Sequence, residues 1–397
     1  MNDVLAYAGD WVHLLLRWAH LIAAIGWVGT SFYFISLDLG LIPGRTPGVV
    51  GEAWEIHGGG FYRIEKMRLV PERIPASLRW FKWEAYLTWL TGFGLLVLLY
   101  YLDPYGFLID PLVLDLDPWQ AVAASVALLG LGWVAYDRIA RALEDRPQAL
   151  ALAVTALVVA VVLVAHALFG SRAAYIHAGA TLGTWMSANV LFVIIPGHRE
   201  LIRAKEQGRD PDARWALRGK QRSVHNNYLT LPVLFAMISQ HFPFTYGHVA
   251  APLVLLGLMA AGATAQHFLN LRHRGRTRWE VLAGAAAILG AVAVASAPPL
   301  AGVASGAQLS ADERAQVMSV MTARCTSCHA RTPTHAGITA PPKGLVLESG
   351  DQVRANARKI FQQVVVTRVM PLGNQTGMTD AERDLIAKWF RAGAPAP

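Results

Sequence analysis

Charge is scarce in this sequence. Asp, Glu, Lys and Arg make up 16% of its 397 residues, where soluble domains carry about 25%. That deficit excludes a chain that meets water over its whole surface. Cysteine is scarcer still: Cys325 and Cys328 are the only two, too few and too close for the framework of a small disulfide-rich protein. No internal repeat is visible. The first ten residues hold no Lys or Arg, so a cleavable leader is not expected and the first apolar stretch reads as a retained helix.

Apolar residues are what the sequence has in excess: they form 54% of it, with 13 Trp and a mean hydropathy of +0.35. Eight apolar segments have spanning length, at about 11–37, 83–102, 118–136, 149–169, 173–195, 228–243, 249–270 and 280–303. The sixth is the shortest and contains Pro232. A net charge of +8 would suit nucleic acid, but its placement argues for a lipid membrane and no nucleic acid. Lys and Arg crowd alternate loops: Arg45 to Lys82, Arg138 to Arg146, Arg199 to Arg222 and Arg272 to Arg278. The intervening loops hold Arg172 alone, beside Asp103, Asp110, Asp115 and Asp117. The positive-inside rule then places the basic loops in the cytoplasm and both chain ends outside.

The two cysteines carry the most specific signal. In RCTSCHA, Cys325 and Cys328 are followed directly by His329, the order that attaches a c-type haem through two thioethers and supplies one axial imidazole. The second iron ligand is expected to be Met370, in a Pro/Gly loop 41 residues beyond His329. Met378 precedes a helix cap and reads as packing; His335 is the weaker alternative. Capping boxes at Ser310–Glu313 and Thr379–Glu382 start two helices, the first ending near Arg324 and the second at Gly393, with another over about 351–367. The fold expected is therefore all-α: a polytopic membrane helix bundle over 1–303, a linker at 304–309, and a small class I cytochrome c domain over 310–397.

Ionisable residues inside spans are costly and usually functional. His13, Arg17 and His20 form one stripe on the first helix. They fall in the outer half of the membrane with His166, His177, His241 and His248. A metal or haem b site, with His20 and either His166 or His177 as its pair, is one reading. Isolated imidazoles bonding between helices are the other. On the inner side, HGGGFYRIEK (57–66), LRWFKWEAY (78–86) and KQRSVHNNYLTLP (220–232) combine glycine, amide, imidazole, cationic and aromatic groups. Such groups recognise a planar hydrogen-bonding anion, unless the cations serve topology and the aromatics an interfacial belt.

RWAHLIAAIGWVGTSFYFISLDLGL, HGGGFYRIEK, LRWFKWEAYLTWLTGF, VHNNYLTLPVLFAMISQHFP and RCTSCHARTPTHAG with VMPLGNQTGMTDAER closely resemble bacterial membrane-bound urate oxidases fused to a C-terminal cytochrome c. The resemblance covers essentially the whole chain. It implies an inner-membrane oxidoreductase of purine degradation that converts urate to 5-hydroxyisourate. Electrons would pass to the fused c-type haem iron and on to a downstream cytochrome or terminal oxidase, without hydrogen peroxide. The cytochrome domain and N-terminus would be periplasmic. The motif-matching residues that would bind or orient urate are Arg17, His20, His57, Lys66, Lys82, Glu84, His225 and Asn226. The competing expectations are another membrane dehydrogenase, for example of quinol, delivering to the same haem, and a non-enzymatic electron-transfer subunit.

Overall fold

The computed structural model describes residues 2–297 and 309–395, except 46, 68, 69, 72, 73, 76, 336 and 337. Arg68 and Arg73 of the first basic loop, and the expected linker up to residue 308, lie outside the described residues. The chain opens with helix α1 (Asn2–Gly40). It contains no proline, and at 1.5 Å per residue it is about 58 Å long, well beyond a hydrocarbon core of about 30 Å.

The segment after α1 corrects the all-α expectation. Strands β1 (Ile42–Pro43), β2 (Val49–His57) and β3 (Gly60–Met67) form an antiparallel sheet in that order. The glycines read as a flexible loop instead make a tight turn. His57 pairs with Gly60, and Gly58 and Gly59 have φ of +57° and +81°, the left-handed pair a two-residue hairpin demands. Trp54 faces Arg63 across the strands, with the guanidinium 5.8 Å from the ring centre.

The rest of this unit is helical. Helix α2 (Trp83–Leu96) continues through a π-turn to Tyr101, and short α3 (Pro104–Phe107) follows. Then come α4 (Pro118–Ala142), α5 (Pro147–Leu168), α6 (Ser171–Asn189), a π-turn over Val190–Ile194 and α7 (Ile195–Glu206). Helices α8 (Ala213–Ile238), α9 (Pro243–Tyr246), α10 (Ala251–His273) and α11 (Trp279–Ala295) complete it. Each of the eight expected segments is mainly helical over its described residues, the eighth through Ala295. Among the described residues, five stretches are long and apolar enough to cross a membrane: Tyr7–Gly40, Pro118–Ala142, Pro147–Leu168, Ser171–Glu206 and Ala251–His273. Helix α8 begins at Ala213 rather than residue 228, because its charged first half finds partners: Arg218 on Glu144 at 2.7 Å and Arg222 on Asp137 at 2.8 Å.

Helix α6 is the axis of the bundle. Tyr175, Leu182 and Trp185 are wholly buried against Tyr136 of α4, Val162 of α5 and Leu255 of α10. The surroundings meet an apolar wall instead, with Trp11, Leu15, Trp18, Ile22 and Ile25 of α1 about half exposed or more. Continuous apolar surface of that extent needs a lipid or protein covering.

The C-terminal unit follows its sequence signals closely. Helix α12 (Ala311–Arg324) starts at the Ser310–Glu313 capping box; α13 (Thr326–His329), α14 (Gly350–Ala355) and α15 (Ala357–Ile360) follow, then a π-turn over Phe361–Val366. Helix α16 (Asp380–Arg391) starts at the Thr379–Glu382 box. Val317, Met321, Val353, Ile360, Met378, Ile386 and Trp389 form the unit's core, so Met378 packs as expected. The unit sits on one end of the bundle, which we call the docked end; the hairpin marks the other. Its loop 367–373 makes the contact. Val369 packs on the bundle core, a Cβ on Gly247 would strike Thr367, and one on Gly373 would stand 2.9 Å from the Tyr105 carbonyl oxygen.

Candidate functional sites

The C-terminal unit presents its haem-type motif in usable form. Cys325 and Cys328 are free and partly buried, and Cys325 packs on the same core as Met370. Burial, with the neighbouring Cys328 and Glu382, pushes the Cys325 thiol up to about 12. A redox-active thiol pair needs the opposite shift, so these sulfurs suit covalent attachment better than thiol exchange. His329 Nδ1 donates to the Leu345 carbonyl at 3.0 Å, which fixes the ring and leaves Nε2 for a metal. Met370 lies in the loop that touches the bundle, and Arg383 of α16 holds that loop by donating to the Met370 carbonyl at 2.8 Å.

Directly beneath that loop is a cluster of cationic and imidazole groups. Arg172 lies with its guanidinium 4.9 Å from the Phe107 ring centre, and its Nε is buried without a partner. His177, fully buried, meets Tyr100 edge-on at 5.5 Å between ring centres and Phe169 at 4.7 Å. Its Nδ1 donates to the Ala173 carbonyl at 2.8 Å, and Nε2 has no partner. The Tyr100 hydroxyl lies within electrostatic reach of Arg17, Arg172 and Tyr246, and His13 within reach of Arg17. Neither Arg17 nor Arg172 forms an ion pair among the described residues. Both are only partly exposed, and two partly buried cations without ion pairs call for a functional explanation.

Two more polar groups lie toward the hairpin end. Tyr136 stacks on Trp185 at 4.8 Å and shares its hydroxyl with His225 Nδ1 at 2.7 Å and Asn189 at 3.1 Å. Asn189 also donates to Asn226, and Arg222 reaches Asn189 and Asp137. Every amide and cation in this network is satisfied. Nearer the end, Asn270 donates to Asn227 at 2.7 Å and Gln266 to Asn270 at 3.4 Å. This chain of amides leaves Asn227 Nδ2 and Gln266 Oε1 buried without partners, lining a cavity of about 30 Å³. His273 joins it to a groove of about 370 Å³ lined by Leu37, Glu52, Trp54 and Glu55.

The eight residues expected to handle urate do not converge. His20 is held against α2 by Thr88 and Thr91, each at 3.0 Å from Nδ1. On the same α1–α2 seam, the Glu84 side chain approaches Gly26 and keeps a buried Oε2 unpartnered. Arg17 acts electrostatically on His13 and Tyr100. His225 and Asn226 belong to the Tyr136 network. His57 sits exposed at the hairpin tip, Lys66 pairs with Asp38, and Lys82 lies over Trp80 and Trp83. No described contact joins His20 to His166 or His177: His166 meets Tyr175 edge-on at 5.6 Å, on another side of α6. Sequence reading passed over Tyr100, Arg172 as an interior group, and the amides Asn189, Gln266 and Asn270. Their signal was present, since polar side chains inside apolar segments are rare.

A helical bundle with an apolar outer wall and several helices long enough to cross a membrane has the make-up of a membrane protein, and it carries a small helical unit with a CxxCH motif. A family model described as urate oxidase N-terminal matches residues 6–297, and the chain belongs to that family. Membership makes it a urate-related oxidoreductase. No curated protein and no solved structure matches the chain.

Proposed function

We propose that the protein oxidises urate to 5-hydroxyisourate in a bacterial inner membrane and delivers the electrons to a haem held by its own C-terminal unit. From there they pass to a downstream cytochrome or terminal oxidase. The observation that carries the proposal is the family match over 6–297, continued in the same chain by Cys325, Cys328 and His329 with its Nε2 free. Urate plus water gives 5-hydroxyisourate, two protons and two electrons. The electrons leave by a route other than dioxygen, so no hydrogen peroxide forms.

Cys325 and Cys328 would hold the haem through thioethers, with His329 and Met370 as iron ligands. Bound there, it accepts one electron at a time, and Met/His ligation raises its potential. The chain's own residues do the rest: interior cations hold the urate anion, and a neutral imidazole takes a proton as water adds. Helix α2, helix α8 and α11 join the five long apolar stretches to make eight spans, with the N-terminus and the C-terminal unit in the periplasm. Electrons taken from urate at the hairpin end would have to cross about 30 Å. A substrate site at the docked end would remove that gap.

Turnover of the purified protein with urate and an oxidised cytochrome c tests the function. Two acceptor molecules reduced per urate, with no peroxide, is the expected result. Peroxide formed one for one with urate consumed overturns the proposal.

A further inference from the structure

Resting on that reading, we infer that urate, as a planar oxygenated heterocyclic anion, binds at the docked end among Arg17, Tyr100, Arg172 and His177, beneath the Met370 loop. Three observations point there independently. The first is charge. Arg172 of α6 lies over the Phe107 ring and, like Arg17 of α1, acts electrostatically on Tyr100; neither forms an ion pair among the described residues. The nearby carboxylates have other tasks: Asp103 caps α3 through the Gly106 N–H at 3.1 Å, and Asp110 accepts from the Leu112 N–H at 3.0 Å. Asp10 acts electrostatically on His13. Two cations outside any described ion pair, beside two imidazoles, favour an anion.

The second observation is unspent hydrogen-bonding capacity. His13 Nε2, Arg172 Nε and His177 Nε2 are buried without partners. His177 has no exposed surface, and its other nitrogen is spent on Ala173. Arg172 can donate to an oxyanion, while a neutral His177 Nε2 can accept from a ring N–H. Urate carries both groups around one flat ring. Tyr100 and Phe107 supply aromatic surface on the same side.

The third is position. The roof of the cluster is Phe107 of α3 and Tyr246 of α9, and the C-terminal unit rests on these same two helices, through Gly373 against Tyr105 and Thr367 against Gly247. The cluster thus lies on the side of the bundle that the Met370 loop contacts, whereas the amide cavity lies elsewhere, beside Asn227 and Gln266. Its groove is lined by Glu52 and Glu55, with Glu52 already paired to Arg63, and offers no unpaired cation among the described residues.

Urate binding to the full chain in nanodiscs, with the haem reduced beforehand so that no turnover occurs, separates the two sites. Arg172→Gln and Arg17→Gln should each weaken binding about tenfold or more, with Arg172→Lys partly restoring it, because charged hydrogen bonds are the strong ones. Gln266→Leu should leave it unchanged. Unchanged binding in both arginine variants, with binding lost in Gln266→Leu, places the site in the amide cavity and overturns the inference. So does a second haem per chain that His177→Gln removes. Failure of the unmodified protein to bind or oxidise urate would instead overturn the function itself.

Discussion

Gly373 and Tyr105 belong to different units of the protein, yet a methyl group on Gly373 would stand 2.9 Å from the Tyr105 carbonyl oxygen. Gly373 also has a φ of +57°, which disfavours any other residue. Backbone therefore meets backbone where the Met370 loop lands on the bundle. Such a contact fixes the distance between the two units more closely than flexible side chains can.

Gly373→Val should push the loop off α3 and slow urate-driven reduction of the haem by tenfold or more. Reduction by dithionite, which needs no docked bundle, should be unchanged. Stopped-flow absorbance reads both rates. Equal slowing of both would mean that the substitution disturbs the haem site itself.

Met370 and Met378 should separate cleanly. Met370→Leu removes the thioether expected to bind iron, so the visible spectrum and the potential should shift. Met378 is 3% exposed in the core, and Met378→Ala should cost about 2–5 kcal/mol of stability as a core truncation while leaving the iron spectrum unchanged. Redox titration and thermal melts distinguish the two.

Arg222 and Asp137 form a buried ion pair with side-chain exposures of 2% and 16%. Removing one partner leaves a buried charge, at a cost of about 3–5 kcal/mol. Asp137→Asn should lower the detergent melting temperature markedly, and pairing it with Arg222→Met should recover part of the loss. If the double variant is no better than the single one, the pair is not what holds α4 to α8.

Glu382 sets the acid limit of the C-terminal unit. Burial pushes its carboxyl up, but the Thr379 N–H and Arg324 outweigh that and hold it below the usual carboxylate range. A folded-state value below the unfolded one, about 4.3, means the stabilisation is present above that pH and is lost as pH falls through the lowered value. Glu382→Gln should flatten this acid-side loss, measured by denaturation of the full chain between pH 6 and pH 2.

The C-terminal unit was legible because its signals are local. A capping box at Ser310–Glu313 or Thr379–Glu382 involves residues three apart, and Cys325, Cys328 and His329 lie within five. The hairpin was missed because Gly58 and Gly59 read equally as a loose loop or a tight turn. Only the pairing of Val49 to Met67 and of the residues inward from them decides between these. The first half of α8 was missed because Arg214, Arg218 and Arg222 break an apolar window, and Glu144 and Asp137, which compensate two of them, lie more than seventy residues away. The same limit scattered the expected urate residues. Periodicity shows which side of a helix His20 occupies, but not that Arg172 and Tyr100 come together under the Met370 loop.

The most direct measurement is an anaerobic titration of the oxidised, purified protein with urate, followed by visible absorption. Reduced c-type haem should appear as urate is added, with one urate reducing two protein molecules. A haem that dithionite reduces but urate leaves oxidised would contradict electron transfer from urate to the C-terminal unit.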